Sequence, residues 1–223
     1  MRIGIIGAGR IGGNAGRLFS GAGHEVYLSF SRDPAKLAAF AAEAGAEYGS
    51  PADAVAFGEV VMLSVPWQAV DSAIAAAGPL AGQIVIDTTN QFGAGGLARL
   101  PAGRTAAEMN AARLPGARLV KAFNTMTAGF QAAAAGRPAA SRVAMFLAGE
   151  DEKAKQVVSG IHDVGFVPVD VGGWNQVSIM EAPRRPGSVY GEEYRAEAAQ
   201  RIAAAVRQDP AAAAELADRL KEP

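Results

Sequence analysis

The chain has 223 residues, half of them hydrophobic, enough to bury a sizeable core as one large domain or two small ones. A net charge of −1 with the signs mixed along the chain leaves no basic stripe for nucleic acid or anionic lipid, so neither is expected as a partner. Zero cysteines exclude disulfides, thiolate zinc sites, iron–sulfur clusters and a cysteine nucleophile. Two histidines, His24 and His162, are too few and too separated for a histidine metal site. Alanine (50) and glycine (27) dominate, while aromatics make up only 7%. A GC-rich genome explains that bias, as 16 Arg against 5 Lys also fits; a helix-rich fold with close helix–sheet packing explains it too.

The N-terminus reads as a strand over Arg2–Ile6, not as a charged-then-apolar signal peptide. A helix follows over 10–22, then a strand over 25–30 rich in branched and aromatic residues. Asp33-Pro34 and Ser50-Pro51 each pair a capping side chain with proline at the first helical position, which predicts helices to about 45 and 58. The apolar run 60–65 has the length and composition of a strand buried on both faces. The longest apolar stretch, 60–70, is interrupted by Ser64, Pro66 and Gln68 and is far too short to span a bilayer, so a cytoplasmic chain is expected. A helix over 67–77 and a strand over 83–87 complete an alternation that predicts right-handed crossovers and a parallel sheet. Residues 88–115 form a long glycine-rich connection with a helix inside it at 105–112. Strands are then expected at 118–123, 142–147 and 166–169, with a helix at 150–163. Residues 172–191 show little periodicity, and two alanine-rich helices close the chain at 192–208 and 211–221. The expected fold class is α/β: a Rossmann-like, doubly wound, mainly parallel sheet with a smaller C-terminal α/β part ending in helices.

Gly7-Ala8-Gly9-Arg10-Ile11-Gly12 is G-x-G-x-x-G between the first strand and the first helix. In that setting Gly7 permits the tight turn, Gly9 lets backbone approach a pyrophosphate, and Gly12 lets the helix pack on the strand. The helix N-terminus then offers free N–H groups to the diphosphate. The second strand ends in Ser29-Phe30-Ser31-Arg32, where an NAD site carries an acid about 20 residues after the fingerprint. A hydroxyl and a guanidinium at Ser31 and Arg32 suit a 2′-phosphate, so NADP is expected over NAD. Asp33 stands next to them, but its place before Pro34 favours capping. Ser64, Val65 and Pro66 end the central strand at the edge where a dinucleotide must lie, and Trp67 after them reads as core.

These residues together resemble the F420-dependent NADP oxidoreductases and related NADPH-dependent reductases. The resemblance runs from G-A-G-R-I-G at 7–12 through S-F-S-R at 29–32, V-P-W at 65–67, D-T-T-N at 87–90 and R-T-A-A-E at 104–108. It continues in V-K-A-F-N-T at 120–125, M-F-L-A-G-E-D-E-K-A-K at 145–155 and G-F-V-P-V-D at 165–170, covering about residues 1–173. The cytosolic domain of the six-transmembrane metalloreductases is similar across the same motifs. The resemblance implies a dinucleotide-binding Rossmann domain over 1–125 and a smaller substrate and dimerisation region over 126–223, in a homodimer. It implies hydride exchange between NADP(H) and a small-molecule acceptor, coenzyme F420 or a flavin. Gly7, Ala8, Gly9, Arg10, Ile11 and Gly12 would then line the diphosphate, Ser31 and Arg32 the 2′-phosphate, and Ser64, Val65 and Pro66 the ribose. Asn124 and Met126 would lie beside the nicotinamide. Residues 179–194 depart from the acceptor-binding end of the F420-reducing members.

Transfer of a hydride to a flavin-like ring needs orientation more than acid–base chemistry. Asn124 is the expected catalytic residue, donating to the nicotinamide amide or to an acceptor carbonyl, or else satisfying backbone at a strand end. Asn90 reads as a substrate contact or the start of a turn, and Asp87 likewise. Lys121 alternates with apolar neighbours and reads as solvated; Arg184 and Arg185 read as an exposed loop or an anion site. An imine or small-carbonyl reductase protonating through Tyr190 or Asp170 is the alternative enzyme, and a non-catalytic NADP(H) sensor the alternative outside catalysis. The purified protein should bind NADPH more tightly than NADH, and Arg32→Ala should largely abolish that preference, as measured by titration with each cofactor. Equal affinity in the unmutated protein would refute the assignment of Arg32.

Overall fold

The computed structural model describes residues 1–30, 33–93 and 95–222, with the backbone only at 162 and 163. β1 (Arg2–Ile6) turns through glycine into α1 (Arg10–Gly21), and β2 (Glu25–Ser29) follows. α2 (Pro34–Ala44) starts on Asp33, whose carboxylate accepts from the N–H groups of Ala35 and Lys36. A short edge strand unforeseen in the sequence, β3 (Glu47–Gly49), leads to α3 (Pro51–Phe57), which opens with a capping box between Ser50 and Asp53. β4 (Val60–Leu63), α4 (Val70–Ala77) and β5 (Ile84–Asp87) continue the alternation, and every residue of both strands is buried.

The long connection holds a hairpin, β6 (Phe92–Gly93) and β7 (Gly96–Leu97), and then α5 (Ala106–Arg113), capped by Thr105 and Glu108. β8 (Arg118–Ala122), α6 (Ala128–Ala135), β9 (Ala144–Ala148), α7 (Glu152–Ser159) and β10 (Val167–Gly172) follow. α8 (Ala196–Gln208) and α9 (Pro210–Leu220) end the chain. Residues 172–191 carry only a short 3-10 turn at Val177–Met180.

The strands form one eight-stranded sheet in the order β10-β9-β8-β5-β4-β1-β2-β3. All neighbours are parallel except β8 and β9. The chain winds outward from β1 to β3, then returns to β4 and winds the other way. This is the doubly wound arrangement, and the crevice of such a sheet opens where the order reverses, beyond the carboxyl ends of β1 and β4. β9 and β10 join the same sheet rather than a separate one, and only Lys121 and Ala122 of β8 pair with Ala148 and Leu147.

The core explains much of the alanine. On β9, Met145 and Leu147 face the cluster that includes Phe123 and Phe166, while Ala144, Phe146 and Ala148 face α8 and α9. There Ala199 and Ala203 of α8 and Ala213 and Ala217 of α9 are buried, and small side chains let the two helices approach closely. Tyr194 is buried in the same cluster, edge-on to Phe146, and donates its hydroxyl to the Ala217 carbonyl at 3.0 Å.

Candidate functional site

The glycine turn is held by the Gly7 and Ala8 N–H groups, which both donate to the Ser29 carbonyl at 3.0 and 3.2 Å. Gly7 adopts φ +110°, and a side chain there would strike the Ser64 carbonyl, with Cβ and oxygen only 2.2 Å apart. Gly7 and Gly12 therefore shape the turn, while Gly9 faces open space, with nothing within 4 Å of where its Cβ would lie. Gly9 is also the N-cap of α1, which has no side-chain cap and no acidic residue in its first turn. The first N–H groups of α1 are thus left to an incoming anion. The turn, the uncapped helix end and the bare face of Gly9 fit a dinucleotide diphosphate.

A cleft of about 1100 Å³ runs from this turn along the carboxyl edge of the sheet. Gly9, Arg10 and Ile11 line one end, and Ser64, Val65 and Pro66 follow from the end of β4. Thr88, beyond β5, donates to Ser64 Oγ at 3.0 Å and joins the two strand ends. Asn90, Asn124 and Met126 line the middle of the cleft, and Phe92, Phe130 and Tyr190 also border it. Ala8 sits in the turn outside the lining, and Trp67 is buried in the core with Arg113 stacked 4.5 Å over its ring. Ser31 and Arg32, expected at the 2′-phosphate, lie outside the described residues. Among the described residues Phe30 and Phe123 are the non-glycine ones with positive φ, at 56° and 59°, and both follow strands that end at this edge. Such backbone strain persists where the surroundings fix it, and it clusters at ligand sites.

Asn124 is 4% exposed and spends both amide hydrogens inside the protein. Its Nδ2 donates to the Met180 carbonyl at 2.7 Å and to Asn90 Oδ1 at 3.3 Å, while Asn90 Nδ2 returns a bond to the Asn124 carbonyl at 2.9 Å. The short contact with a carbonyl fixes which end of the amide is nitrogen. Asn124 Oδ1 is left buried with no partner. Of the two readings the sequence left open, donation to a ligand or to backbone, the structure shows the second, with one hydrogen on the Met180 carbonyl and the other on Asn90.

Beneath the cleft lies a charged cluster that the sequence reading missed. Lys121, read there as solvated, is fully buried and donates to Asp87 Oδ2 at 3.0 Å and the Thr89 carbonyl at 2.7 Å. Glu181 lies 3.7 Å from the same ammonium and accepts from the N–H groups of Ala106 and Ala107, at the N-terminus of α5. Asn110 donates to Asp87 Oδ2 at 3.0 Å and Thr89 Oγ1 at 2.9 Å. The alternation argument failed because both faces of a central strand in this fold are covered. A better signal was available: Asp87 ends the neighbouring strand, and a lone lysine in a buried run needs a counter-charge.

Other charged candidates are engaged elsewhere. Asp170 lies on β10, off the cleft, with Lys155 at 2.9 Å and Arg207 at 3.5 Å, so the structure does not support it as a proton donor. Arg185 is held by the carbonyls of Ser178, Glu181 and Pro183, and Arg184 is bidentate to Glu192 at 2.7 and 2.8 Å. Burial raises the Tyr190 phenol above its usual range. Among the described residues no cluster of acids and histidines suits a metal ion, and no helix is long and apolar enough to cross a membrane.

Residues 2–91 match the family of coenzyme F420-dependent NADP oxidoreductases. The matched segment runs from β1 through β5 and takes in the glycine turn and Ser64–Pro66. The fold is of Rossmann type, as the strand order shows. The chain is 29% identical over 182 residues to rat (Rattus norvegicus) metalloreductase STEAP3, covering 81% of this chain but 36% of that protein, so it spans about a third of that relative's length. Among solved structures it is similar to hypothetical protein SMa0349 of Sinorhizobium meliloti, with TM-score 0.76 and 29% identity, covering 86% of this chain and 94% of that one. A candidate F420-dependent NADP reductase of Arthrobacter sp. FB24 gives TM-score 0.67 and 26% identity, covering 79% and 87%. A reductive aminase of Aspergillus terreus, solved with NADPH, shares the fold at TM-score 0.59 and 22% identity, over 78% and 55%.

Lys121→Met should destabilise the protein by about 3–5 kcal/mol, because Asp87 and Glu181 would remain buried without their cation. Thermal unfolding should fall by roughly 10 °C. An unchanged midpoint would show that the cluster contributes no net stability.

Proposed function

We propose that this chain exchanges a hydride between NADP(H) and a flavin-like or deazaflavin acceptor, coenzyme F420 included, acting as a homodimer. The observation that carries the reading is a cleft continuous with the dinucleotide turn and lined by Asn124, whose buried Oδ1 has no partner in the protein. A buried carbonyl oxygen without a donor costs free energy until a ligand supplies one. The carboxamide N–H of a nicotinamide is a donor of the right kind, which makes Asn124 the residue that orients that ring. Gly9, Arg10 and Ile11 would hold the diphosphate, Ser31 and Arg32 the 2′-phosphate, and Ser64, Val65 and Pro66 the ribose. Asn90 holds Asn124 in place and borders the acceptor together with Met126.

Bound NADPH supplies the hydride, and the remaining work of the chain is to orient two rings and exclude water. The carboxylates that line the cleft are tied to cations: Glu192 to Arg184, Glu193 to Arg137, and Glu222 to Arg195. The Tyr190 phenol, already protonated in the neutral range, is held further above its usual value by burial. It supports a second reading, reduction of an imine or small carbonyl compound with Tyr190 as the proton donor.

NADPH oxidation with F420, FMN, FAD, quinones and cyclic imines as acceptors separates the readings. Turnover with F420 or a flavin, with kcat/KM flat across about pH 6–8, is expected, since no cleft group is asked to titrate there. Turnover confined to imines and lost in Tyr190→Phe would favour the second reading. Tight NADPH binding with no turnover on any acceptor would make the chain a sensor. Asn124→Leu should raise the KM for NADPH about tenfold or more, by removing one hydrogen bond to the carboxamide. An unchanged KM would overturn the role of Asn124.

A further inference from the structure

The cleft carries apolar surface that the fold leaves uncovered. Among the described residues the exposed large hydrophobics are Met1, Tyr48, Phe92 and Leu97, and the last two are cross-strand partners on the β6–β7 hairpin. Phe92 is 45% exposed, yet it lines the cleft. Tyr190, half-buried, stands against it with ring centroids 6.4 Å apart and planes inclined at 37°. Both rings are positioned from the polar centre of the site. The Phe92 N–H donates to the Asn90 carbonyl at 2.7 Å, and the N–H of Gly191, next to Tyr190, donates to the Thr125 carbonyl at 2.9 Å. Asn90 in turn is bonded to Asn124, so both rings are referred to the residue that reads the nicotinamide.

We propose that Phe92 and Tyr190 form an aromatic platform on which the acceptor's ring system stacks, selecting planar conjugated acceptors over small non-aromatic ones. A flat ring stacked on one of these rings would stand at about 37° to the other, so one ring supplies the stacking face and the second a tilted apolar flank. Charge does not compete for this role, because Arg184 is spent on Glu192 and Arg185 on backbone carbonyls. The platform also gives a reason for an exposed phenylalanine on a strand of two residues: its ring is covered when the acceptor is bound. This inference rests on the proposed function, in that it seats the acceptor at this part of the cleft.

The test uses binding as well as turnover, with riboflavin and coenzyme F420 as planar probes and 1-pyrroline as the small non-aromatic one. Phe92→Ala and Tyr190→Ala should each weaken binding of the planar probes about tenfold, as loss of one stacking partner does. Tyr190→Phe should restore that binding, and NADPH affinity should be unchanged in all three variants. Circular dichroism and thermal unfolding confirm that each variant is folded. The platform is overturned if neither planar probe binds the unmutated protein, if both alanine variants bind them normally, or if 1-pyrroline turnover falls as far as theirs. Planar probes that bind through these rings but never oxidise NADPH would sustain the platform while sinking the proposed reaction.

Discussion

A single ammonium under the floor of the cleft ties together the parts that the site needs. Lys121 leaves β8 and meets the carboxylate that ends β5, the carbonyl of Thr89 beyond it, and Glu181 from the C-terminal half. Two carboxylates against one ammonium leave an excess negative charge in a dry environment. The N-terminus of α5 balances it, with two backbone N–H groups on Glu181 and the partial positive charge of the helix behind them. The cluster is fully bonded, which is the condition under which buried charge is tolerable. Removing any member would expose the others to the whole cost of desolvation.

The cluster matters to function through the three residues around Glu181. Met180 accepts from Asn124, Glu181 seals α5, and Ala182 accepts from Gln91 at 3.1 Å. Three separate segments thus hold three consecutive residues of a stretch that has almost no regular structure. A strap without its own ladder of hydrogen bonds can be rigid only if other elements hold it. The rigidity is then passed to Asn124, whose amide can turn only if the Met180 carbonyl lets go. The orientation of the Asn124 amide, proposed to meet the nicotinamide, depends on buried charge outside the cleft lining.

The first half of the fold was legible because each of its features is local. The glycine turn, the caps at Asp33 and Ser50, and the apolar runs of β4 and β5 all speak through residues close in sequence. The cleft residues Gly9, Arg10, Ile11, Ser64, Val65 and Pro66 followed from the same rule, since they end the strands at which the sheet reverses. What escaped depends on pairings across long separations: Lys121 with Asp87 across 34 residues, and Gln91 with Ala182 across 91. The antiparallel pairing of β9 with β8 escaped for the same reason, because strand composition carries no direction. Which of its two open readings Asn124 follows escaped too, since the backbone carbonyl that takes one of its hydrogens, Met180, lies 56 residues away.

The composition that opened the sequence has two distinct physical roles in the fold. Alanine is structural: at Ala199, Ala203, Ala213 and Ala217 it brings α8 and α9 close over β9 and β10. Glycine is structural at Gly7 and Gly12, where any side chain would strike backbone, but at Gly9 it meets nothing at all. A glycine kept at an open position on an uncapped helix end is explained by what must approach it, not by what already surrounds it. The bare oxygen of Asn124 and the uncovered ring of Phe92 follow the same logic at the other points of the cleft. A partner of complementary kind would satisfy each: an anion, an N–H donor and a flat apolar face. A nicotinamide dinucleotide stacked near a conjugated acceptor, the pair proposed for this cleft, would supply all three.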